Sequence, residues 1–241
     1  MRTYFKAMLQ EKYSPSQKMN DLINEEPSLL LIVPRFGLSL GFQNKTVQEV
    51  CESHGIDTYT FLTVVNFLSE ENFEMDNDYN KLCVSCLIDF LKNGHLYFIG
   101  FKLPAIRSKL IDAIEATETE IAHKDIFLKF FDDYVGEVKS HMQYEDEIVF
   151  PYVLKLLKGE RQAGYNIHIF EENHNQIDQK LMDLKNILIK YYPSKGNSFL
   201  LTDVLFDILS CGNDLSAHNK VEDYMFIPTI EAIEKSNQKH A

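Results

Sequence analysis

Positive charge, cysteine and long apolar runs are all scarce in this chain, and each shortage removes a class of function. Lys and Arg number 24 against 36 Asp and Glu over 241 residues, a formal net charge of −12 with a pI near 5.1. A nucleic acid held by phosphate contacts needs the opposite sign. The longest apolar run, Leu29 to Val33, is far shorter than the ~20 residues that span a bilayer. Residues 1–20 interleave Lys, Arg, Gln and Ser with the apolar side chains, so no signal peptide is read there. The expectation is a soluble, cytoplasmic protein with no membrane and no nucleic-acid partner. The four cysteines, Cys51, Cys83, Cys86 and Cys211, are too few for a disulfide scaffold at this length. Cys83-x-x-Cys86 has no second such pair to complete a zinc site. It lies in the stripe Leu82-Cys83-Val-Ser-Cys86-Leu87, so the two thiols read as buried small hydrophobes.

What the chain does have is histidine and glutamate at helical spacing: His95, then His141 with Glu145, then His174, then His218 with Glu222. Residues i and i+4 share one helix face, so each His-x-x-x-Glu sets an imidazole beside a carboxylate. A single such pair carries little weight, and a third, His168 with Glu172, is present as well. The two chosen copies, however, share a longer pattern. His141-Met-Gln-Tyr-Glu145-Asp146 leads to Phe150-Pro151, and His218-Asn-Lys-Val-Glu222-Asp223 leads to Ile227-Pro228, each proline ten residues after its histidine. His95 and His174 are 79 residues apart, and His141 and His218 are 77 apart, which reads as a duplicated helix pair.

In an antiparallel bundle, two ligands share one depth only if their connecting loop lies midway between them. The midpoints fall at Glu118 within Thr117-Glu118-Thr119, at Leu157 and Lys158 beside Gly159 and Gly164, and at Gly196 within Pro193-Ser-Lys-Gly-Asn197. Two midpoints have turn formers and the third a polar run, as up-down-up-down topology requires. His168 is six residues from His174, a rotation of about 240°, so the two do not share a face, and His174 fits the hairpin spacing better.

The expected fold is all-α: a small N-terminal helical domain over residues 1–78 and a four-helix bundle over 79–241. The boundary is placed in the acidic stretch Ser69 to Asn80. Upstream, helices are expected at Met19 to Glu26, at Pro27 to Gly41 with breaks at Pro34, Gly37 and Gly41, at Thr46 to His54 ended by Gly55, and from Asp57 to Leu68. Downstream, they are expected at Lys81 to Ala116, Lys124 to Lys158, Ile167 to Tyr192 and Phe199 to Lys220, with a final segment near Pro228 to Lys235. Asn93-Gly94 and Pro104 are expected to kink the first.

Four imidazoles and two carboxylates on four helices suit a pair of metal ions. Without thiolate they favour Fe or Mn; a structural zinc site would close at four ligands around one ion. Two His for each ion, with Glu145 and Glu222 both bridging, give four protein ligands per metal. A position is then left open for dioxygen, nitric oxide or peroxide, or for iron to leave. Glu137, one turn before His141, is a candidate to orient a ligand or line an iron path. Asp146 and Asp223, at i+5 from the histidines, are expected to point to solvent or a neighbouring helix, and no side chain is assigned a catalytic role.

The bundle pattern His…His-x-x-x-Glu…His…His-x-x-x-Glu resembles the hemerythrin-like domains, which implies a non-haem centre of two Fe ions. Residues 27–68 are similar to the N-terminal domain of the iron-sulfur cluster repair proteins. The resemblance rests on Gly37-Leu-Ser-Leu-Gly41-Phe42 followed by a helix to Cys51 and then Gly55-Ile-Asp57. Where that family carries paired cysteines this chain has Gly41 and Phe42, so thiol chemistry is absent at that position. The resemblance implies iron supply to, or repair of, clusters damaged by nitric oxide or oxidative stress, with iron-sulfur client proteins as partners. The alternatives are a module that binds or senses dioxygen or nitric oxide, and a metal-responsive transcription regulator drawing on the helix-turn-helix-like spacing of Thr46 to Leu68. Residues 1–78 hold 6 Lys and Arg against 12 Asp and Glu, the wrong sign for a duplex.

Overall fold

The computed structural model describes residues 12–70, 79–116, 124–160, 164–171, 177–192 and 198–239. Among them there is no strand, and one isolated antiparallel bridge joins Lys18 to Thr46. The protein is all-α. Two compact units divide at Leu87/Ile88, within the helix that follows the acidic stretch; residues 71–78 of that stretch lie outside the described residues.

The N-terminal unit is built from α1 (Met19–Glu25), α2 (Leu29–Ile32), α3 (Val47–Ser53) and α4 (Thr58–Ser69). Local chemistry explains their ends. Thr46 and Glu49 form a reciprocal capping box on α3, and the Asp57 carboxylate accepts the N–H of Thr60 at 2.8 Å to cap α4. Pro34 enters a 3-10 turn, Val33–Phe36, that stops at Gly37, where φ is +72°. Behind these caps Leu22, Val33, Phe36, Val50, Phe61 and Val64 are buried. Asn66, also buried, closes on the backbone of Tyr13 by donating to its C=O and accepting its N–H.

One expectation changes here. Cys83 does not extend an apolar stripe; it stands immediately before α5 (Val84–Tyr97), and its C=O accepts the first helical bond from the N–H of Leu87 at 3.1 Å. Cys83 and Cys86 are both half-buried rather than enclosed. The reason is long-range: Thr60 Oγ1 accepts the Cys83 N–H at 2.8 Å, which holds this residue outside the helix.

In the second unit, α5 passes through a π turn, Phe98–Lys102, into α6 (Leu103–Glu115). The next arm is α7 (Lys124–Tyr144), a π turn Glu145–Val149 and α8 (Phe150–Leu157). The third arm contains α9 (Ile167–Glu171) and α10 (Ile177–Tyr191). The fourth is α11 (Ser198–Val221), a π turn Glu222–Phe226 and α12 (Ile227–Lys239), continuous where a separate final segment was expected. Helix α7 packs on α6 and α10, and α11 packs on α10 and α6, which closes a four-helix bundle in chain order. Phe98, Ile106, Leu110, Phe131, Leu184 and Ile208 belong to the buried core that the four arms share.

The three π turns have a common cause in the sequence. Pro104, Pro151 and Pro228 each occupy the second position of the helix after a π turn. Proline offers no N–H and clashes with the carbonyl four residues back. Shifting the preceding turn to the wider i to i+5 register accommodates both effects without ending the helix. Asn93 and Gly94 lie inside the regular α5, and the irregularity falls at Phe98–Lys102. After α8 the chain stops at Gly159 (φ +79°), with Gly159 N–H to Leu156 and Glu160 N–H to Lys155, a Schellman arrangement. The expected loops at 117–119 and 193–197 lie outside the described residues.

Candidate metal centre

Three arms of the bundle deliver His95, Glu145, His218 and Glu222 to one buried point, with a ligand atom of each within 4.8 Å of all the others. His141 is in α7 and Glu145 opens the π turn after it; His218 is in α11 and Glu222 opens the last π turn. Glu145 is fully enclosed and stands between two imidazoles, 2.8 Å from His95 Nε2 and 2.8 Å from His141 Nε2. Glu222 Oε1 lies 3.3 Å from His218 Nε2. The rings of His95 and His218 are 5.2 Å apart between centroids. Phe150 stacks on His95, Phe170 on His141 and Phe90 on His218, and Phe98 meets His218 edge-on. These rings surround the imidazoles with apolar surface.

Two enclosed carboxylates are costly unless cations compensate them, several kcal/mol per ion. His95 supplies part of that compensation. Burial pushes its pKa down, but hydrogen bonds to Asp146 and Glu145 and the charges of Glu145 and Glu222 outweigh burial and raise it to about 9. The same geometry fits a metal. The gathered donors, with His95 Nε2 2.8 Å from Glu145 Oε2 among them, are imidazole nitrogen and carboxylate oxygen enclosed at one point. That donor set suits iron, manganese or zinc rather than a soft, thiolate-preferring ion.

Of the six ligands expected from the sequence, four converge, and His141 touches the cluster through Glu145 with its side chain 16 % exposed. His174 lies outside the described residues. Glu137 is not drawn in: it is exposed and ion-paired with Lys180. His168 is exposed, with Nε2 3.5 Å from Glu231. Asp146, expected to point to solvent or a neighbouring helix, takes the second course: its Oδ1 lies 3.2 Å from His95 Nδ1. A carboxylate on Nδ1 keeps the proton there and directs Nε2 into the cluster, as outer partners of ligating histidines do. The only sequence signal for it was its recurrence, with Asp223, directly after each cluster Glu.

Among the described residues no helix is long and apolar enough to cross a membrane. No curated protein matches the chain in sequence. The family model for the hemerythrin HHE cation binding domain matches residues 88–230, more than half the chain, and spans every residue of the cluster. The chain therefore belongs to the hemerythrin HHE cation binding domain family, and its bundle presents a candidate metal site of His95, Glu145, His218 and Glu222.

Proposed function

We propose that the bundle holds a non-haem di-iron centre on His95, His141, Glu145, His174, His218 and Glu222, and that the protein supplies iron to clusters damaged by nitric oxide or oxidants. The observation that carries the iron reading is the buried convergence of two imidazoles and two carboxylates, with His141 adjoining through Glu145. Bound iron supplies Lewis acidity and a one-electron redox couple at this point. Glu145, in reach of both His95 and His141, would hold iron together with them. Asp146 orients His95, and Phe90, Phe98, Phe150 and Phe170 restrict water.

The repair reading is supported by the order of the two units and by the run Gly37 to Asp57, which resembles the N-terminal domain of cluster-repair proteins. Gly41 and Phe42 bring no thiol to that run, and Cys51 is buried with its thiol pushed up to about 12, chiefly by burial. Iron carried as cargo by the bundle, rather than a thiol pair in that run, is then the agent of repair. Iron-loaded protein, incubated without oxygen with a nitric-oxide-damaged iron-sulfur hydratase, should restore its activity, and a Glu145→Ala/Glu222→Ala variant should not. Restoration by the variant as well, or by neither protein, contradicts the reading.

A second reading, a module that binds or senses dioxygen or nitric oxide, draws on the partial opening at His141 beside four enclosed ligands. A reversible spectroscopic adduct with iron retained, and no rescue of the hydratase, would favour it.

A further inference from the structure

The geometry points to Cys83 and Cys86 as a redox-active dithiol that closes reversibly into a disulfide by exchange with a low-molecular-weight disulfide such as glutathione disulfide. Cys83 occupies the N-cap of α5: its C=O accepts the Leu87 N–H, and its Sγ accepts the Cys86 N–H at 3.3 Å. Ser, Thr, Asp or Asn ordinarily fills such a position, because oxygen is the stronger acceptor. A sulfur there gives up capping strength and places a nucleophile at the positive end of a 14-residue helix. Cys86 follows one turn later, its backbone N–H on the Cys83 sulfur, which sets both thiols at the same end of the helix. Both are half-buried and accessible, whereas Cys51 and Cys211 are buried.

The two sulfurs differ in place: Cys83 caps the N-terminus of α5, and Cys86 lies one turn inside it. Burial first, and then the hydrogen bond to Cys83, push the Cys86 thiol up to about 12. Cys83 takes the attacking role and Cys86 the resolving one. The Cys83 thiolate attacks one sulfur of glutathione disulfide, forming a mixed disulfide and expelling one glutathione thiolate, which takes up the proton that Cys83 released. Cys86 then loses its proton and attacks the Cys83 sulfur; the bond to glutathione breaks, and the second glutathione leaves as a thiol carrying that proton. Two protein thiols are oxidised and one small disulfide is reduced to two thiols.

The test uses the full-length protein, equilibrated with glutathione disulfide, quenched with acid, alkylated and mapped by mass spectrometry. The expected product is an internal Cys83–Cys86 disulfide within the tryptic peptide of residues 82–92. Cys86→Ser should retain one glutathione on Cys83. Cys83→Ser should form no bridge while keeping its thermal midpoint, because Ser Oγ supplies the cap. At neutral pH, iodoacetamide should label Cys83 at least about tenfold faster than Cys86. Two free thiols after oxidation, a bridge to Cys51, glutathione on Cys86, or equal labelling of the two would each overturn the assignment. If Cys83→Ser loses its fold, the mixed disulfide of Cys86→Ser alone decides.

Discussion

Raising the pH from 6.5 to 9 should weaken the metal-free bundle while strengthening its hold on metal, and both effects trace to His95. Its folded pKa is about 9 against 6.5 for the ordinary side chain, and its side chain is only 4 % exposed. Below pH 6.5 the imidazole is protonated in folded and unfolded chains alike, and its contacts with Asp146 and Glu145 contribute in full. As the pH climbs through 9 the folded state must surrender that proton, and the contribution disappears. At 1.36 kcal/mol per pH unit the loss is ~3 kcal/mol, or roughly 6–12 °C in Tm for a chain of this size. Chelator-treated wild type and His95→Gln would be unfolded by urea and by heat at half-unit steps across this window. The difference between them should fall with pH. Metal must displace the same proton, so affinity should rise by up to about tenfold per pH unit over the same range. Stability that is flat or rising in the metal-free wild type, or an equal slope in His95→Gln, would refute the reasoning.

Other consequences are local. Asp146→Ala should keep the fold and lower metal affinity about 10–100-fold in a chelator competition, because His95 loses the partner that fixes its tautomer. The Cys51 thiol, buried and pushed up to about 12, should resist a thiol reagent at pH 8 until the protein is unfolded. Gly212→Ala builds a methyl 2.5 Å from Met182 Cε, the free end of a pliable side chain, within α11. With Met182 turning aside, the helical gain should dominate, raising stability by ~0.5 kcal/mol; a loss above about 1 kcal/mol in urea unfolding would contradict it.

Short-range chemistry made much of the architecture readable. The capping box at Thr46 and Glu49 and the cap at Asp57 bracket α3 and α4 where the sequence placed them, because capping depends only on the next three residues. Glu145 and Glu222 follow their histidines by the i+4 rule, and the turn at Gly159 lies beside the midpoint expected between His141 and His174. What stayed hidden depends on neighbours distant in sequence. On an ideal helix Asp146 is rotated about 140° from His141, which said nothing of a His95 waiting on the adjacent arm. The prolines were visible as a repeat, but the π turns they accompany, including the third before Pro104, appear only in the folded backbone. Cys83 looked like part of a stripe because periodicity does not register Thr60, which holds it outside α5.

The most direct test is the metal content and absorption spectrum of protein purified without oxygen and then oxidised, measured beside Glu145→Ala/Glu222→Ala. The account predicts about two irons per chain, as expected of a six-ligand carboxylate-bridged bundle site, with an oxo-bridge absorption band that the variant lacks. Zinc in place of iron, or a folded wild-type chain that takes up no metal, would contradict it.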